Sequence, residues 1–324
     1  MLRRVTGKRA LSAKATLPSA KRERPRWTMS PYSRIALVRK MSEHTLTGNI
    51  QRHSRLESRI LKNRRDILVY LPPGYRRSIV KRYPVLYLHD GQNLFDAATA
   101  FAGVEWGVDE TAQRLIGSKL VEPLIIVAID NAGKDRVHEY APTRGLIDRD
   151  KKRRSKGLAR NYARFLVEEL KPFIDRRYRT RREASATGVG GSSLAGLLAL
   201  CVGLWYPHIF SRLLVMSPSV WWDDGVVLKT VEELERKLPL KIWLDTGTAE
   251  PGWENTRKLR NLLIDQGWRL DDDLQYMEDQ KASHTEAAWG RRVDPALRFL
   301  FPAQVPLRFG QRRPKPPLVL ERQF

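Results

Sequence analysis

The sequence predicts an α/β fold: a mainly parallel sheet of eight strands with helices on both faces. Three observations carry that expectation. Short apolar runs alternate with segments of helical spacing, the order that builds parallel sheets. The runs at 84–88, 124–129 and 213–216 have no polar alternate position, as strands buried on both faces require. A stretch rich in glycine and serine, 184–196, leads from one such strand straight into an apolar helix, 197–205.

In chain order, 54–61 and 66–71 read as an antiparallel opening pair. The first has few apolar positions because Arg55, Glu57 and Arg59 interrupt it. The second runs into the turn Pro72-Pro73-Gly74-Tyr75. Strand 84–88 ends in His89-Asp90-Gly91-Gln92-Asn93, followed by a helix at 108–116 and strand 124–129. Helix 161–178 places Tyr162, Phe165, Leu166, Leu170 and Phe173 on one face. After the glycine-rich strand and its helix come strand 213–216, helix 231–238, strand 241–245, helix 254–266, strand 274–277 and a closing helix, 286–300.

A chain of 324 residues, 42% hydrophobic, suffices for one large domain with extensions. The folded domain is expected over 46–303. Residues 1–45 lack periodicity, are rich in Arg, Lys, Ser, Ala and Pro, and are expected to be disordered; their composition is that of an organelle transit peptide. Residues 304–324 form a basic, Pro/Arg-rich tail. One cysteine, Cys201, excludes an internal disulfide and a Cys/His metal framework. No run approaches the roughly 20 apolar residues of a membrane span and no secretory signal is visible, so a cytoplasmic protein is expected. The formal charge is +23, and residues 1–40 alone hold twelve Lys/Arg against Glu23. Such runs read as solvated tails, and without interleaved aromatics they imply no specific nucleic-acid partner.

The glycine-rich turn has the layout of a nucleophile elbow, a strained strand-to-helix turn that exposes a serine. Small residues are needed two before and two after the nucleophile, because the two backbones pass close there. Centred on Ser193 these are Gly191 and Ala195; centred on Ser192 they are Gly190 and the oversized Leu194. Ser193 is therefore the candidate. In α/β-hydrolases an acid and then a histidine follow the serine along the chain. His208 ends the elbow helix on its far side, whereas His284 lies in a polar loop after the last strand. Glu250, in the loop after the seventh strand, is the candidate acid, with Asp245 as alternative; the acid fixes the imidazole tautomer and its transient charge. The backbone N–H groups of Leu194 and Gln92 are the candidate oxyanion donors. Arg136, Glu139, Tyr140 and Arg144 follow the fourth strand at the ligand-binding end of such sheets. With Trp106, Trp221 and Trp222 they are candidates for the substrate wall. No metal or organic cofactor is implied.

Six segments in this order carry a resemblance: Tyr83-Pro84-Val85-Leu86-Tyr87-Leu88-His89-Asp90-Gly91-Gln92-Asn93, Arg136-Val137-His138-Glu139-Tyr140-Ala141-Pro142-Thr143, Gly191-Ser192-Ser193-Leu194-Ala195-Gly196, Ser217-Pro218-Ser219-Val220-Trp221-Trp222, Gly247-Thr248-Ala249-Glu250 and His284-Thr285-Glu286-Ala287-Ala288-Trp289. Across 52–303 the chain resembles the putative-esterase family, which groups enterochelin esterases, feruloyl and acetyl-xylan esterases, esterase D and the mycolyltransferases. The resemblance implies an α/β-hydrolase fold and hydrolysis of a small-molecule carboxylic ester through an acyl-enzyme. Its nucleophile, acid and histidine fall on Ser193, Glu250 and His284. Ala195 stands where the family usually has glycine, and Glu250 where many members have Asp; some siderophore esterases manage with a Ser–His pair. The alternative is a catalytically silent hydrolase fold that binds nucleic acid or anionic surfaces through its basic tails.

Overall fold

The computed structural model describes residues 44–148 and 152–303. The expectations for 1–45 and 304–324 thus fall outside the described residues, apart from His44 and Thr45. Eight strands form one sheet: β1 (Asn49–Ser58), β2 (Asn63–Leu71), β3 (Val85–His89), β4 (Ile125–Ile129), β5 (Thr187–Ser192), β6 (Arg212–Met216), β7 (Lys241–Gly247) and β8 (Leu274–Asp279). Their order is β1-β2-β4-β3-β5-β6-β7-β8. The pairs β1/β2 and β2/β4 are antiparallel, and every later pair is parallel.

Alternate residues of the central strands feed two cores. Val85 and Tyr87 of β3 pack on one face with Tyr162, Phe165, Leu197, Leu198, Leu259 and Leu263. Leu86 and Leu88 pack on the other with Ala112, Leu115, Val293 and Leu297. The first layer of helices therefore comprises α3 (Ala159–Arg164), α4 (Lys171–Arg177), α5 (Leu194–Trp205), α6 (Val226–Glu232) and α7 (Glu254–Asp265). The second comprises α1 (Val108–Gly117) and α8 (Glu286–Leu300). Between α3 and α4 a π-helical segment, Phe165–Leu170, continues the helical backbone. No helix of the described residues is long and apolar enough to cross a membrane.

Two expected elements differ, and a segment for which no element is expected is structured. β1 starts well before residue 54, since an edge strand needs only one buried face and tolerates the exposed Arg52 and Arg55. The helix expected at 231–238 lies instead at Val226–Glu232. Gly225, at φ 79°, makes the left-handed turn that starts it, and the Glu233 N–H closes it on the Lys229 and Val231 carbonyls. The segment after β4 folds into a short helix, α2 (Arg136–Tyr140), followed by a two-stranded ribbon, Leu146–Asp148 with Arg153–Arg154.

Two buried polar groups brace the opening half of the sheet. Arg65 of β2 places one guanidinium nitrogen 2.9 and 3.0 Å from the two oxygens of Glu139, with both side chains buried. The same guanidinium lies over the rings of Tyr162 and Phe165. His89, at the end of β3, is wholly buried with its Nδ1 3.2 Å from Tyr162 Oη. Burial pushes its imidazole down to about 3.

Arg65→Met leaves the Glu139 carboxylate buried without its counter-charge. It should cost about 3–5 kcal/mol in denaturant unfolding, most of it recovered in Arg65→Met/Glu139→Leu; a single-variant loss below about 1 kcal/mol would contradict the bracing role. His89 stays neutral in the fold where the unfolded chain takes up a proton. Its contribution is therefore complete above about pH 6.5 and drains away as pH falls toward 3. Wild type should lose stability relative to His89→Gln by about 1.4 kcal/mol per pH unit across that window, and parallel stability curves would disprove it.

Candidate active site

β5 lies between β3 and β6, and its C-terminal end turns at once into α5. Ser193 occupies that turn at φ 58°, ψ −125°, a conformation that costs a non-glycine residue on the order of 1–3 kcal/mol. Its N–H donates to the Met216 carbonyl at 2.9 Å, and its carbonyl accepts from Ser219 and Leu197, each at 3.0 Å. A Cβ on Gly191 would come within 2.7 Å of Ala195 Cβ. One methyl at 195 is accommodated because residue 191 has none. The Ser193 hydroxyl is part-exposed and 3.4 Å from Ser219 Oγ.

His284 precedes α8, with its ring half exposed and edge-on to Trp289 at 4.8 Å. Its Nδ1 is 2.8 Å from Glu250 Oε2. Glu250 Oε1 accepts from Ser217 Oγ at 2.6 Å and from the Gly247 N–H at 2.9 Å. Burial alone would raise this carboxyl, but the hydrogen bond and charge of His284, with the Ser217 and Gly247 donors, hold it below the usual range. Ser217 Oγ in turn accepts from Trp289 Nε1 and from Arg292 Nη2, both at 3.0 Å.

Asp245 is also close but occupied. Trp243 Nε1 donates to its Oδ2 at 2.7 Å, and Arg292 Nε lies 3.4 Å from its Oδ1. Burial pushes it up to about 6, against the pull of Arg292. Of the two candidate acids, only Glu250 hydrogen-bonds His284. His208 sits beyond the far end of α5, about 18 Å of helix from Ser193. Ser193 and His284 share no direct hydrogen bond. They are joined through the 216–219 segment, which binds Ser193 at Met216 and Ser219 and Glu250 at Ser217.

The loop after β3 lies alongside. A Cβ on Gly91 would come within 2.7 Å of the Ile129 nitrogen, so only glycine lets the loop settle on the end of β4. Asp90, in the left-handed region at φ 56°, accepts from both Nε and Nη2 of Arg136, at 2.7 and 2.6 Å, and from Asn131 Nδ2 at 2.7 Å. Burial would raise its carboxyl; the Arg136 charge and these donors keep it low. Neither the Gln92 N–H nor the Leu194 N–H has an acceptor among the described residues.

The expected substrate wall is corrected here. Glu139, Tyr140, Trp106 and Trp222 are all buried and offer a ligand no exposed face. Glu139 pairs with Arg65, Tyr140 Oη accepts from the Asp90 N–H, Trp106 packs 5.9 Å from Trp289, and Trp222 Nε1 donates to Thr143. Arg136 is spent on Asp90 and on the face of Tyr140. Arg144 and Trp221 remain exposed. Ser217 and Arg292 escaped the sequence reading, although Arg292 falls within the apolar stripe of α8 formed by Trp289, Val293, Ala296 and Leu300. An arginine at a core position was the available signal.

A family model described as "Putative esterase" matches residues 58–300. Uncharacterized protein YjcH of Bacillus subtilis is 26% identical over 78% of this chain and 97% of its own length. Ferri-bacillibactin esterase BesA of the same organism is 27% identical over 58% of this chain and 70% of its own. The crystal structure of the enterobactin esterase FES from Shigella flexneri superposes on 79% of this chain with a TM-score of 0.62 at 20% identity; this chain spans 61% of that protein. The chain belongs to the Putative esterase family, a family of carboxylic ester hydrolases, and has the α/β-hydrolase fold.

Proposed function

We propose that the chain is a serine carboxylic-ester hydrolase working through an acyl-enzyme on Ser193. What supports this reading is a strained serine turn at the C-terminal end of β5 and, in the loops after β7 and β8 of the same sheet, an imidazole hydrogen-bonded to a buried carboxylate. Ser193 Oγ rotates from Ser219 toward His284 Nε2, a closure of the kind substrate binding often completes. His284 takes the hydroxyl proton as the oxygen attacks the ester carbonyl, and Glu250 stabilises the resulting imidazolium. The Leu194 and Gln92 N–H groups receive the alkoxide, the former with the help of the α5 dipole. Collapse breaks the C–O bond, and His284 returns the proton to the leaving alcohol. Water, deprotonated by the same imidazole, then releases the acid and frees Ser193. The substrate class is a small-molecule ester of the kind handled by enterochelin esterases, with Arg144 and Trp221 at the rim. The catalytic unit is the domain 46–303.

Ser193→Ala and His284→Ala should each lower kcat on a nitrophenyl ester by at least about 10³-fold while keeping the wild-type Tm. Turnover that survives Ser193→Ala would remove the nucleophile assignment, and no turnover at all from wild type on an ester panel would leave the fold a silent scaffold. Glu250→Gln should lower kcat by more than about 10²-fold, whereas Asp245→Asn should cost less. Ser217→Ala removes one donor to a charged acceptor and should lower kcat about tenfold with KM little changed; an unchanged kcat would show that Glu250 is held without it.

A further inference from the structure

We propose that the loop between β2 and β3 is a docking element for an anionic lipid bilayer. Its aliphatic tip, Ile79 and Val80, enters the headgroup region while Arg76, Arg77, Lys81 and Arg82 meet the lipid phosphates. Ile79 and Val80 are 84% and 82% exposed, more than any other large hydrophobic side chain among the described residues. Single exposed aliphatics are ordinary; two adjacent ones at a loop tip, inside four cations and with no acid from 74 to 84, are not. None of the four cations forms an ion pair with a carboxylate among the described residues.

The stem of the loop is fixed, so the tip is displayed rather than loose. Tyr75 and Tyr83 pack 5.2 Å apart, and the Arg179 guanidinium lies 3.8 Å over the Tyr75 ring. The Arg179 N–H donates to Tyr75 Oη, Arg179 Nη2 donates to the Tyr75 carbonyl, and Arg82 reaches the Thr180 carbonyl. Arg179, on the adjoining turn, adds a further cation against the loop stem. Charge complementarity therefore selects an anionic surface, and the aliphatic tip selects lipid over nucleic acid, whose bases would need free aromatic faces. The loop leads into the start of β3, whereas the Ser193 turn lies beyond the C-terminal ends of the strands, so docking leaves the active site facing away from the bilayer.

The test uses the full chain with vesicles of phosphatidylcholine alone or with roughly one-third phosphatidylglycerol, at near-physiological ionic strength, so that wild type and variant carry the same tails and differ only at the loop tip. Ile79→Ser/Val80→Ser should bind the anionic vesicles at least about tenfold more weakly than wild type, with Tm and ester hydrolysis in solution unchanged. Cys201 is buried, its thiol pushed up to about 12, so Ile79→Cys can be labelled selectively with a polarity-sensitive dye. Its emission should shift to the blue on anionic vesicles and not on duplex DNA. Wild-type binding by the double variant, no binding by wild type, an unshifted dye, or an equal shift on DNA would each overturn the proposal.

Discussion

One main-chain hydrogen bond, from the Ser193 N–H to the Met216 carbonyl, holds the turn between β5 and α5 against the end of β6. It holds a serine in a backbone conformation that serine does not choose, so the surroundings must supply the difference. They do so because β5 is buried between β3 and β6 and because α5, apolar on nearly every side, cannot leave the core. Strain at the turn is sustained by two of the best-packed elements of the molecule. The same carbonyl end of β6 continues into Ser217 and Ser219, so the bond that fixes the serine also sets the position of the group beneath Glu250.

Beneath the imidazole lie two carboxylates served by one guanidinium. Arg292 is 3.4 Å from Asp245 and 3.6 Å from Glu250, and all three are buried. Their titration diverges because their donors differ. Glu250 collects hydrogen bonds from His284, Ser217 and a backbone N–H and is held low; Asp245 is more completely enclosed and pushed up to about 6. Carboxylates whose surroundings drive them apart are suited to different tasks. Glu250 presents a negative charge to His284, and Asp245 anchors Arg292 and the Ser217 N–H.

The elbow was legible because steric closeness leaves a direct mark on sequence: Gly191 and Ala195 bracket one serine only. The closing helix was legible to the residue, since Thr285 caps it and apolar positions recur at helical spacing. The helix near 226–238 was displaced because its start depends on the left-handed Gly225, which composition alone does not place. The aromatic and charged residues expected at the substrate wall were misread for a different reason. Trp106, Tyr140, Trp222 and Glu139 carry recognition chemistry, but whether such a side chain faces ligand or core is decided by packing between distant segments. Ser217 and Arg292 stayed hidden because their partners lie 33 to 75 positions away along the chain.

The order of the sheet bears on how the protein is made. Gln92, Ser193, Glu250 and His284 follow four different strands, and the last belongs to the final strand–helix pair. A nascent chain that has formed β5 and α5 already holds Ser193 in its turn, yet Glu250 and His284 arrive only when β7, β8 and α8 close the sheet. The site is thereby left incomplete until the last elements assemble. A fragment cut between α5 and Lys241 would keep the Ser193 turn and lack both Glu250 and His284.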